Sequence, residues 1–593
     1  RTLAAQRLYR TTGLDPYWQS RRLGLAPANV PPLRAKITGQ DSAYVTRYRG
    51  QLFWTWGDTI GVGPRSQWNY EATAAISRLP EQGGQDPADG VDFEYFVDES
   101  GFAKPMVAAE DGGALTWLDG LTTLTDERGD QRLFALYVQM HRVGTHRPLD
   151  EGEARHLSGL WWTDDALAQE IELKRRRELG PEAVDQYKAE IRRADAFETR
   201  VTRGLMEYRP DTETFHRVAT FPAREIDELH IGSHALLVPP EQPTHVIFSG
   251  LAPNRRVEAD VEAIADIQRY ESFTCLREGV RVPPDNFHVS AGQLDRDASG
   301  RLRYAWRRNA SPIGPREQAK LVAAGRIDRD ERWFVLRDVQ TGKELINQHH
   351  SLQWNPYRRR YAGLFTCQRL DESQRAGEYD VDSLNQTWYG EADTLLGPWA
   401  YLERVVDVGD YAYYNPLYNP YFHQQGGRII YFEGTYTRFM NVQAPMRARD
   451  NYNQVMHRLD LNDPRVTMPM AVYSIAASDR RYTTHHDIPQ SYRCARQLCV
   501  FAPDRPRPDC VAIYETVCDG APCLTAEPPE AAAAGTARVA FYALPVDSLQ
   551  QRAATTPLYR TRNRAGQTTY FTGSPLPRGH EREGGPICRV WPR

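Results

Sequence analysis

Short runs of β-branched and aromatic residues, each ended by Gly, Pro, Asn or Asp, dominate residues 351–436 of the chain. The clearest stretches read TWYGEADTLLGPWAYLERVV and YNPLYNPYFHQQGGRIIYFEGTYT. Such runs, separated by turn residues, are typical of successive antiparallel strands. The same pattern occurs at residues 41–59, where Gly50 separates two runs and Gly57-Asp58 ends the second. Its recurrence at long intervals predicts an all-β fold of the β-propeller type.

The charge and hydropathy of the chain argue against several classes of partner. Its 73 Lys and Arg residues against 77 Asp and Glu residues give a net charge of −4, which disfavours nucleic acid or an anionic membrane as the main partner. No apolar run reaches the length of about 18 residues that spans a membrane. Aromatic residues make up 11% of the chain. These rings either pack between propeller blades or stack on the C–H faces of sugars.

The cysteines predict an exported protein. Six of the eight lie at or beyond position 494: Cys494, Cys499, Cys510, Cys518, Cys523 and Cys588. They lack the paired spacing and the His partners of a zinc site, so we expect at least two disulfides among them, with Cys588 bonded back to the others. The chain also begins at Arg1 rather than Met, which suggests a removed leader. The predicted location is extracellular or at the cell surface, with the periplasm as the alternative.

The composition divides the chain into three parts. Residues 1–40 predict an N-terminal arm with a short helix from Leu3 to Tyr9, residues 41–480 predict the propeller, and residues 481–593 predict a small Cys-rich all-β module. That module is either a repeat module or a disulfide-stapled cap on the propeller. Residues 164–206 are rich in Ala, Glu, Lys and Arg, and predict a helical insertion that contacts solvent. Five residues mark the first strands of five units: Asp41, Trp117, His234, Trp354 and Tyr421.

Three phrases of the sequence carry a family resemblance. LFWTWGDT, EADTLLGPW and NPYFHQQGGRIIYFEGTYT resemble the five-bladed propeller glycoside hydrolases related to arabinanases and xylosidases. They resemble still more an uncharacterised-domain propeller family of bacterial secreted proteins, some members of which cleave polysaccharides. The resemblance covers residues 41–480 and implies a five-bladed all-β propeller. It is more specific for this architecture than for any substrate.

Cleavage of a glycosidic bond needs two carboxyl groups, one deprotonated and one protonated. The resemblance implies that Asp41 is the base or nucleophile and that Asp119 positions the substrate and tunes the pKa of the acid. The acid itself is either Glu271, whose aromatic neighbours would raise its pKa, or Glu391, which lies in the best-matched motif in an expected outer strand. The structural alternative for Asp41 and Asp119 is that they cap turns.

Six further residues are candidates for substrate binding: Asp58, His234, His350, Trp354, Asn355 and Asn415. Asp58 either binds sugar at the mouth of the funnel or caps a turn, and each His is either a substrate contact or an ordinary histidine. Asn side chains suit the recognition of hydroxyl groups. No cofactor is required, although the resemblance allows a central Ca²⁺. We expect the segment 295–300, which matches only part of a calcium loop, to form a plain hairpin turn.

The sequence therefore predicts a secreted glycoside hydrolase-like propeller that acts on an extracellular polysaccharide through paired carboxylates. The alternative is a non-catalytic propeller that binds glycan or packs into a surface assembly, by self-association or with other proteins. Motifs for serine hydrolases, HExxH metalloproteases, P-loop NTPases and dinucleotide binding do not occur.

Overall fold

A computed structural model of the chain was analysed. It describes residues 2–13, 15–25, 34–61, 72–107, 115–148, 173, 176, 180–193, 195–222, 234–283, 287–369, 384–409, 411–438, 452–475, 482–484, 497–518, 521–529, 538–564, 566, 568–573, 576 and 578–593.

The described chain consists mostly of β-strands arranged in several sheets. The N-terminal part contains β1 (Gln6–Arg10), helix α1 (Trp18–Arg22) and β2 (Ile37–Gln40). The next strands are β3 (Tyr44–Tyr48), β4 (Gln51–Trp56), β5 (Thr59–Gly61), β6 (Thr73–Ser77) and β7 (Glu94–Tyr95). Strands β3, β4, β6 and β7 form the first sheet, whereas β5 pairs with β2.

The second to fifth sheets follow in chain order. The second contains β8 (Leu115–Thr125), β9 (Gln131–Pro148), β10 (Asp195–Arg209) and β11 (Thr214–Phe221), with helix α2 (Pro181–Arg193) before β10. The third contains β12 (His234–Val238), β13 (His245–Ser249), β14 (Arg255–Glu258), β15 (Glu271–Thr274) and β16 (Ala305–Arg308), and helix α3 (Pro315–Ala323) follows it. The fourth contains β17 (Leu336–Asp338), β18 (Glu344–Asn355), β19 (Arg360–Arg369), β20 (Gln386–Ala392) and β21 (Tyr401–Asp407). The fifth contains β22 (Ala412–Gln424), β23 (Ile429–Thr437), β24 (Asn453–Asp460) and, at its outer edge, β1.

Three smaller sheets make up the C-terminal part. The first contains β25 (Pro469–Ser474), β26 (Tyr482–Thr484) and β27 (Gln497–Pro503). The second contains β28 (Val511–Cys518), β29 (Ala521–Thr525) and β30 (Arg538–Ala543). The third contains β31 (Thr556–Asn563), β32 (Thr568–Phe571) and β33 (His580–Val590).

The hairpin of β3 and β4 shows how the local sequence sets the register. Arg49 and Gly50 both have positive φ, at 48° and 81°, as a two-residue hairpin turn with the natural strand twist requires. Gly supplies one of these conformations without steric cost. The turn aligns Tyr44 with Thr55, so the two strands run in register from the turn to their far ends.

The core consists of hydrophobic clusters between successive sheets. Because side chains alternate along β4, Trp54 packs towards the fifth sheet while Phe53 packs towards the second. Further clusters join the second sheet to the third through Leu205 and Val246, the third to the fourth through Leu236 and Leu352, and the fourth to the fifth through Tyr389 and Ile430. The packing therefore runs through all five sheets and returns to the first.

The N-terminal strand corrects one expectation. The helix predicted from Leu3 to Tyr9 is wrong, because Gln6–Arg10 forms β1 and pairs with β24. A helix this short is unstable alone, whereas the edge of the fifth sheet offers backbone partners. Burial of Tyr9, whose hydroxyl donates to the carbonyl of Pro87 at 2.7 Å, anchors the strand.

The helical insertion is shorter than its predicted span of 164–206. Helix α2 confirms a helix at Pro181–Arg193, but the expectation of helix over residues 195–206 is wrong because they belong to β10. This segment pairs with β9, and Leu205 and Met206 are buried in clusters shared with neighbouring sheets. Residues 164–172 lie outside the described residues.

The C-terminal sheets pack directly on the fourth and fifth sheets. Strand β25 precedes the boundary expected at residue 480, and it pairs with β27 beyond that boundary. The Trp591 indole donates to the carbonyl of Val339 at 3.0 Å, and the Tyr401 hydroxyl donates to the carbonyl of Pro592 at 2.7 Å. The C-terminal sheets are therefore part of the same core.

The cysteines differ from the sequence prediction. Cys499, Cys510 and Cys588 are free thiols, so Cys588 is not tied back to the other cysteines. The three remaining members of the set of six allow at most one bridge among themselves, and of these Cys494 lies outside the described residues. The prediction of two or more bridges is therefore wrong. Cys588 packs as an apolar side chain in the hydrophobic core of the C-terminal sheets. It therefore stabilises these sheets through packing and not through a disulfide.

A buried carboxyl group joins the N-terminal segment to the fifth sheet. Glu433 on β23 is 1% exposed, and its Oε2 accepts from the Thr11 hydroxyl at 2.5 Å. Its other oxygen has no hydrogen-bond partner among the described residues. Burial raises the pKa of Glu433 from 4.5 to about 7, although the bond from Thr11 opposes this shift.

We expect the Glu433→Gln variant to be more stable than wild type at alkaline pH. Between pH 4.5 and about 7 the unfolded chain releases this proton while the folded chain keeps it, so folding stability falls as the pH rises. Above pH 7 the free energy of unfolding of the variant should exceed that of wild type by about 3 kcal/mol, and below pH 4 the two should not differ. Denaturant unfolding across this pH range checks the effect, with Glu213→Gln on an exposed turn as the control. A constant difference between the variant and wild type at every pH would contradict it.

Candidate functional site

The register of the first hairpin brings two aspartates together. The alignment of Tyr44 with Thr55 continues outwards and places Asp41 opposite Asp58. The backbone N–H of Asp41 donates to the carbonyl of Asp58 at 3.1 Å, and the N–H of Asp58 donates to Asp41 Oδ1 at 2.8 Å. Gly57 leaves the room for this carboxyl, because a Cβ atom there would lie 2.6 Å from Asp41 Oδ1.

Side chains from the second and fifth sheets, and from the segment before β24, complete the hydrogen bonding of this pair. The Tyr414 hydroxyl donates to Asp41 Oδ2 at 2.8 Å, and the Trp117 indole donates to Asp58 Oδ1 at 2.6 Å. The Tyr452 hydroxyl donates to Asp58 Oδ2 at 3.2 Å and also lies within hydrogen-bonding reach of Asp41. Both carboxyl groups thus lie next to the same hydroxyl.

The pair retains a proton more strongly than isolated aspartates. Burial, and then the neighbouring charge of Asp41, raise the pKa of Asp58 to about 7. Burial also raises the pKa of Asp41, while the bond from Tyr414 limits the rise. Since two nearby carboxylates resist joint ionisation, the pair holds its protons to a higher pH than isolated aspartates do. Both residues keep partial contact with solvent despite this desolvation.

Asp119 is a third carboxyl group with a raised pKa. It lies two residues after Trp117 on β8, so the two side chains share a face of the strand about 7 Å apart. A β-bulge follows it at Gly120, whose φ is 57°, and bulges often re-aim side chains near functional sites. Burial raises the pKa of Asp119 to about 7, and the charge of Arg203 opposes this rise.

Two histidines lie next to the aspartate pair. The ring of His234, on β12, lies 5.2 Å from the ring of Tyr44, and the ring of His349, on β18, lies 6.2 Å from that of Tyr414. His349 also hydrogen-bonds Asn415, whose amide donates to the Ser42 hydroxyl at 2.5 Å. Burial lowers the pKa of His234 to about 3 and that of His349 to about 4. Both rings are therefore neutral near pH 7 and can each donate and accept one hydrogen bond.

The structure thus brings together Asp41, Asp58, Asp119, His234 and Asn415 from the sequence candidates, and adds Trp117, His349, Tyr414 and Tyr452 as contacts. We call these nine residues the central cluster. Alternation along β18 places His349, rather than its neighbour His350, in this cluster. No sequence motif pointed to the two tyrosines, because they approach the aspartates from positions more than 370 residues away along the chain.

The other candidates are engaged elsewhere. The buried imidazole of His350 contacts the Asn347 amide at 2.8 Å, and its ring packs near Phe365. Trp354 packs edge to face on Tyr361 at 5.4 Å. The Asn355 amide donates to the Tyr418 hydroxyl and to the carbonyl of Gly427, so it supports the turn after β18.

Neither of the expected third carboxyl groups joins the central cluster through a hydrogen bond. Glu271 accepts from Arg256 at 2.6 Å on the third sheet. Glu391 lies on β20 of the fourth sheet, which pairs with β19. Its completely buried side chain accepts from Arg358 at 2.9 Å. Both carboxylates are therefore engaged in ion pairs. Asp58 and Asp119, whose pKa values are raised, are the better candidates for the protonated carboxyl group that the sequence led us to expect.

Among the described residues, no group of three or more His, Cys, Asp and Glu side chains has the arrangement of a metal site. The segment around Asp297 forms the expected turn, because Asp297 Oδ1 accepts from the N–H groups of Ser299 and Arg301. Over the described residues, no helix is long and apolar enough to cross a membrane.

Comparisons with known proteins give distant similarities. No family model and no curated protein matches the chain. An N-acetylgalactosamine deacetylase from F. plautii, solved with blood group B trisaccharide, is 11% identical with a TM-score of 0.31, over 78% of this chain and 96% of that one. An exo-1,5-alpha-L-arabinanase from a bovine ruminal metagenomic library is 8% identical with a TM-score of 0.27, over 77% and 100%. A mutant Trypanosoma rangeli sialidase with trans-sialidase activity is 8% identical with a TM-score of 0.29, over 100% and 85%. At such scores we base no functional argument on them.

Proposed function

We propose that the five sheets are the blades of a five-bladed β-propeller with the central cluster on its axis. The hydrophobic clusters between successive sheets support this arrangement. The first strands β3, β8, β12, β18 and β22 contact one another in chain order, and the bond from Asn415 to Ser42 links the last to the first. Strand β1 at the edge of the fifth sheet would close the ring.

We further propose that the chain is a glycoside hydrolase that acts on an extracellular polysaccharide. The observation that carries this proposal is the Asp41–Asp58 pair, in which two adjacent carboxyl groups both have raised pKa values and Asp58, with a pKa of about 7, is still partly protonated near neutral pH. Hydrolysis of a glycosidic bond needs such a combination of a carboxylate and a carboxylic acid. Their contact with one shared hydroxyl resembles the short separation used by retaining enzymes, about 5–5.5 Å.

The hydrogen bonds of the two carboxyl groups suggest their roles. Asp41, held ionised in part by its bond from Tyr414, attacks the anomeric carbon or activates water, and Asp58, whose pKa lies near 7, donates its proton to the leaving oxygen. On the covalent route, water attacks the anomeric carbon in the second step, the bond between that carbon and Asp41 breaks, and Asp58 takes the proton of the water, so the pair returns to its starting state. Asp119 adds a further acidic group with a raised pKa on the neighbouring strand. The neutral rings of His234 and His349 and the amide of Asn415 would bind sugar hydroxyls.

The rival function is glycan binding without catalysis. The hydrogen bonds of the aspartate pair favour this function, because the oxygens of both carboxyl groups already accept from Tyr414, Trp117 and Tyr452. In that case the aspartates would hold three sheets together and the sugar would contact only the outer part of the central cluster.

A screen of polysaccharides for hydrolysis distinguishes the two functions. We expect wild type to release reducing sugar from at least one substrate, Asp41→Asn to lose this activity while still binding that glycan, and Asp211→Asn on an exposed turn to behave as wild type. Asn keeps the size and most hydrogen bonds of Asp, so a folded but inactive variant implicates the carboxylate. Glycan binding by wild type and Asp41→Asn alike, with no release of sugar by either, would favour the rival.

A further inference from the structure

The third sheet contains a buried arginine that bonds no carboxylate among the described residues. Arg255 on β14 is 0% exposed, and its one described side-chain hydrogen bond runs from Nη1 to the Ser272 hydroxyl. Its Nε and Nη2 groups have no partner among the described residues. The Ser272 hydroxyl is itself committed as a donor to the carbonyl of Ala310. A buried guanidinium with free N–H groups is costly unless something negative lies beside it.

The strand register places a second arginine on the same face. Arg255 pairs with Ser272 of β15, and Ser272 pairs with Arg307 of β16. Residues directly opposite one another in antiparallel strands project to the same side, so both guanidinium groups flank Ser272. The Nε of Arg307 is also buried without a partner among the described residues. Three unpartnered N–H donors therefore lie on one face of three adjacent strands.

Among the residues that the structure describes, the charges bonded to these arginines do not balance. Asp295 is the carboxylate on this face, and it is shared between Arg307 and Arg303, the latter at 2.6 Å. Arg281 adds further positive charge near Arg255, and the other titratable neighbour, Tyr270, is neutral. Burial lowers the pKa of Arg255 to about 9, which still leaves the group protonated at neutral pH. A water molecule would satisfy the N–H groups but would leave this charge uncompensated.

We propose that Arg255, Ser272 and Arg307 enclose a binding site for a small monovalent inorganic anion such as chloride, which completes the third sheet. The unpartnered donors are all N–H groups, from which chloride accepts readily. The site is separate from the central cluster, and it would stabilise the strands β14 to β16 rather than take part in catalysis. Its existence does not depend on the function proposed above.

The test measures thermal unfolding of the full chain while sodium chloride replaces sodium gluconate at constant ionic strength. We expect the melting temperature of wild type to rise by roughly 1–3 °C for each tenfold increase in chloride above its dissociation constant. The Arg255→Met variant should lose this dependence, because it removes the charge and keeps the length. The Arg308→Gln variant is the matched control, since it lies next to Arg307 on the opposite face of the strand and should keep the dependence.

Anomalous diffraction from crystals of wild type grown in bromide provides a second readout that does not need a folded variant. A bromide peak within hydrogen-bonding distance of Arg255 and Arg307 supports the site. The proposal is overturned if the melting temperature of wild type does not depend on chloride at constant ionic strength, or if bromide is absent from this position.

Discussion

The Asp58→Asn variant should hydrolyse the substrate of wild type about 10²–10⁴-fold more slowly, the factor that general acid catalysis supplies. Asn cannot donate a carboxylic proton to the leaving oxygen, but its one oxygen can still accept from Trp117 and its amide nitrogen can donate to the Tyr452 hydroxyl, so we expect little loss of stability. The measurement is kcat and KM on the best substrate of the screen. A loss confined to kcat would indicate a role in the chemical step rather than in binding.

The pH profile separates this role from a structural one. Because burial and Asp41 raise the pKa of Asp58 to about 7, the acid form is present below this value, and the rate of wild type should fall as the pH rises through it. The Asp58→Asn variant should lose this alkaline limb. The Asp119→Asn variant should reduce the rate more mildly and shift the acidic limb. An Asp58→Asn variant that keeps both the rate and the limb of wild type would exclude Asp58 as the acid.

The Asp504→Ala variant should lower the free energy of unfolding by about 3–5 kcal/mol. Asp504 follows β27 and has a nearly buried side chain, which accepts from Arg358 at 2.9 Å and also from Arg360. These arginines also pair with Glu391 and Asp393 of the fourth sheet. Burial opposes the ionisation of Asp504, but the charges of Arg360 and Arg358 prevail and hold its pKa well below the ordinary value. Removal of this carboxylate leaves two guanidinium groups buried with one negative partner fewer.

Denaturant unfolding at neutral pH measures this loss. The control is Asp463→Ala, which breaks a more exposed ion pair with Arg465 and should cost less than about 1 kcal/mol. Since the pKa of Asp504 is lowered, its contribution is present above the pKa of the unfolded chain, near 3.8, and is lost only as the pH falls below it. Equal losses in the two variants would show that Asp504 does not connect the C-terminal sheets to the fourth sheet.

Local patterns predicted the parts of the fold that depend on near neighbours. The turn at Gly50 and the alternating residues around it predicted β3 and β4. The register of these two strands, which places Asp41 beside Asp58, was not predicted. The residues chosen to mark five units each fall on, or just before, a strand of a separate sheet, namely β3, β8, β12, β18 and β22. This agreement arises because hairpin register and side-chain alternation are set within about ten residues.

Contacts between distant segments could not be predicted in this way. The segment before residue 10 carries no signal that distinguishes a short helix from an edge strand, since its partner β24 lies more than 440 residues away. Glu391 looked available because the sequence does not reveal that Arg358 lies beside it. His350 was chosen over His349 because the phase of alternation along β18 depends on which face the neighbouring sheets bury.

The pairing of β1 with β24 has a consequence for the order in which the chain assembles during synthesis. Residues 6–10 leave the ribosome before the other described strands, yet their partners at 453–460 emerge only after the four earlier sheets have been made. Until then this segment lacks its native partner strand, because the two strands lie far apart in the sequence. The first of the described strands to be synthesised is therefore among the last to reach its native partner.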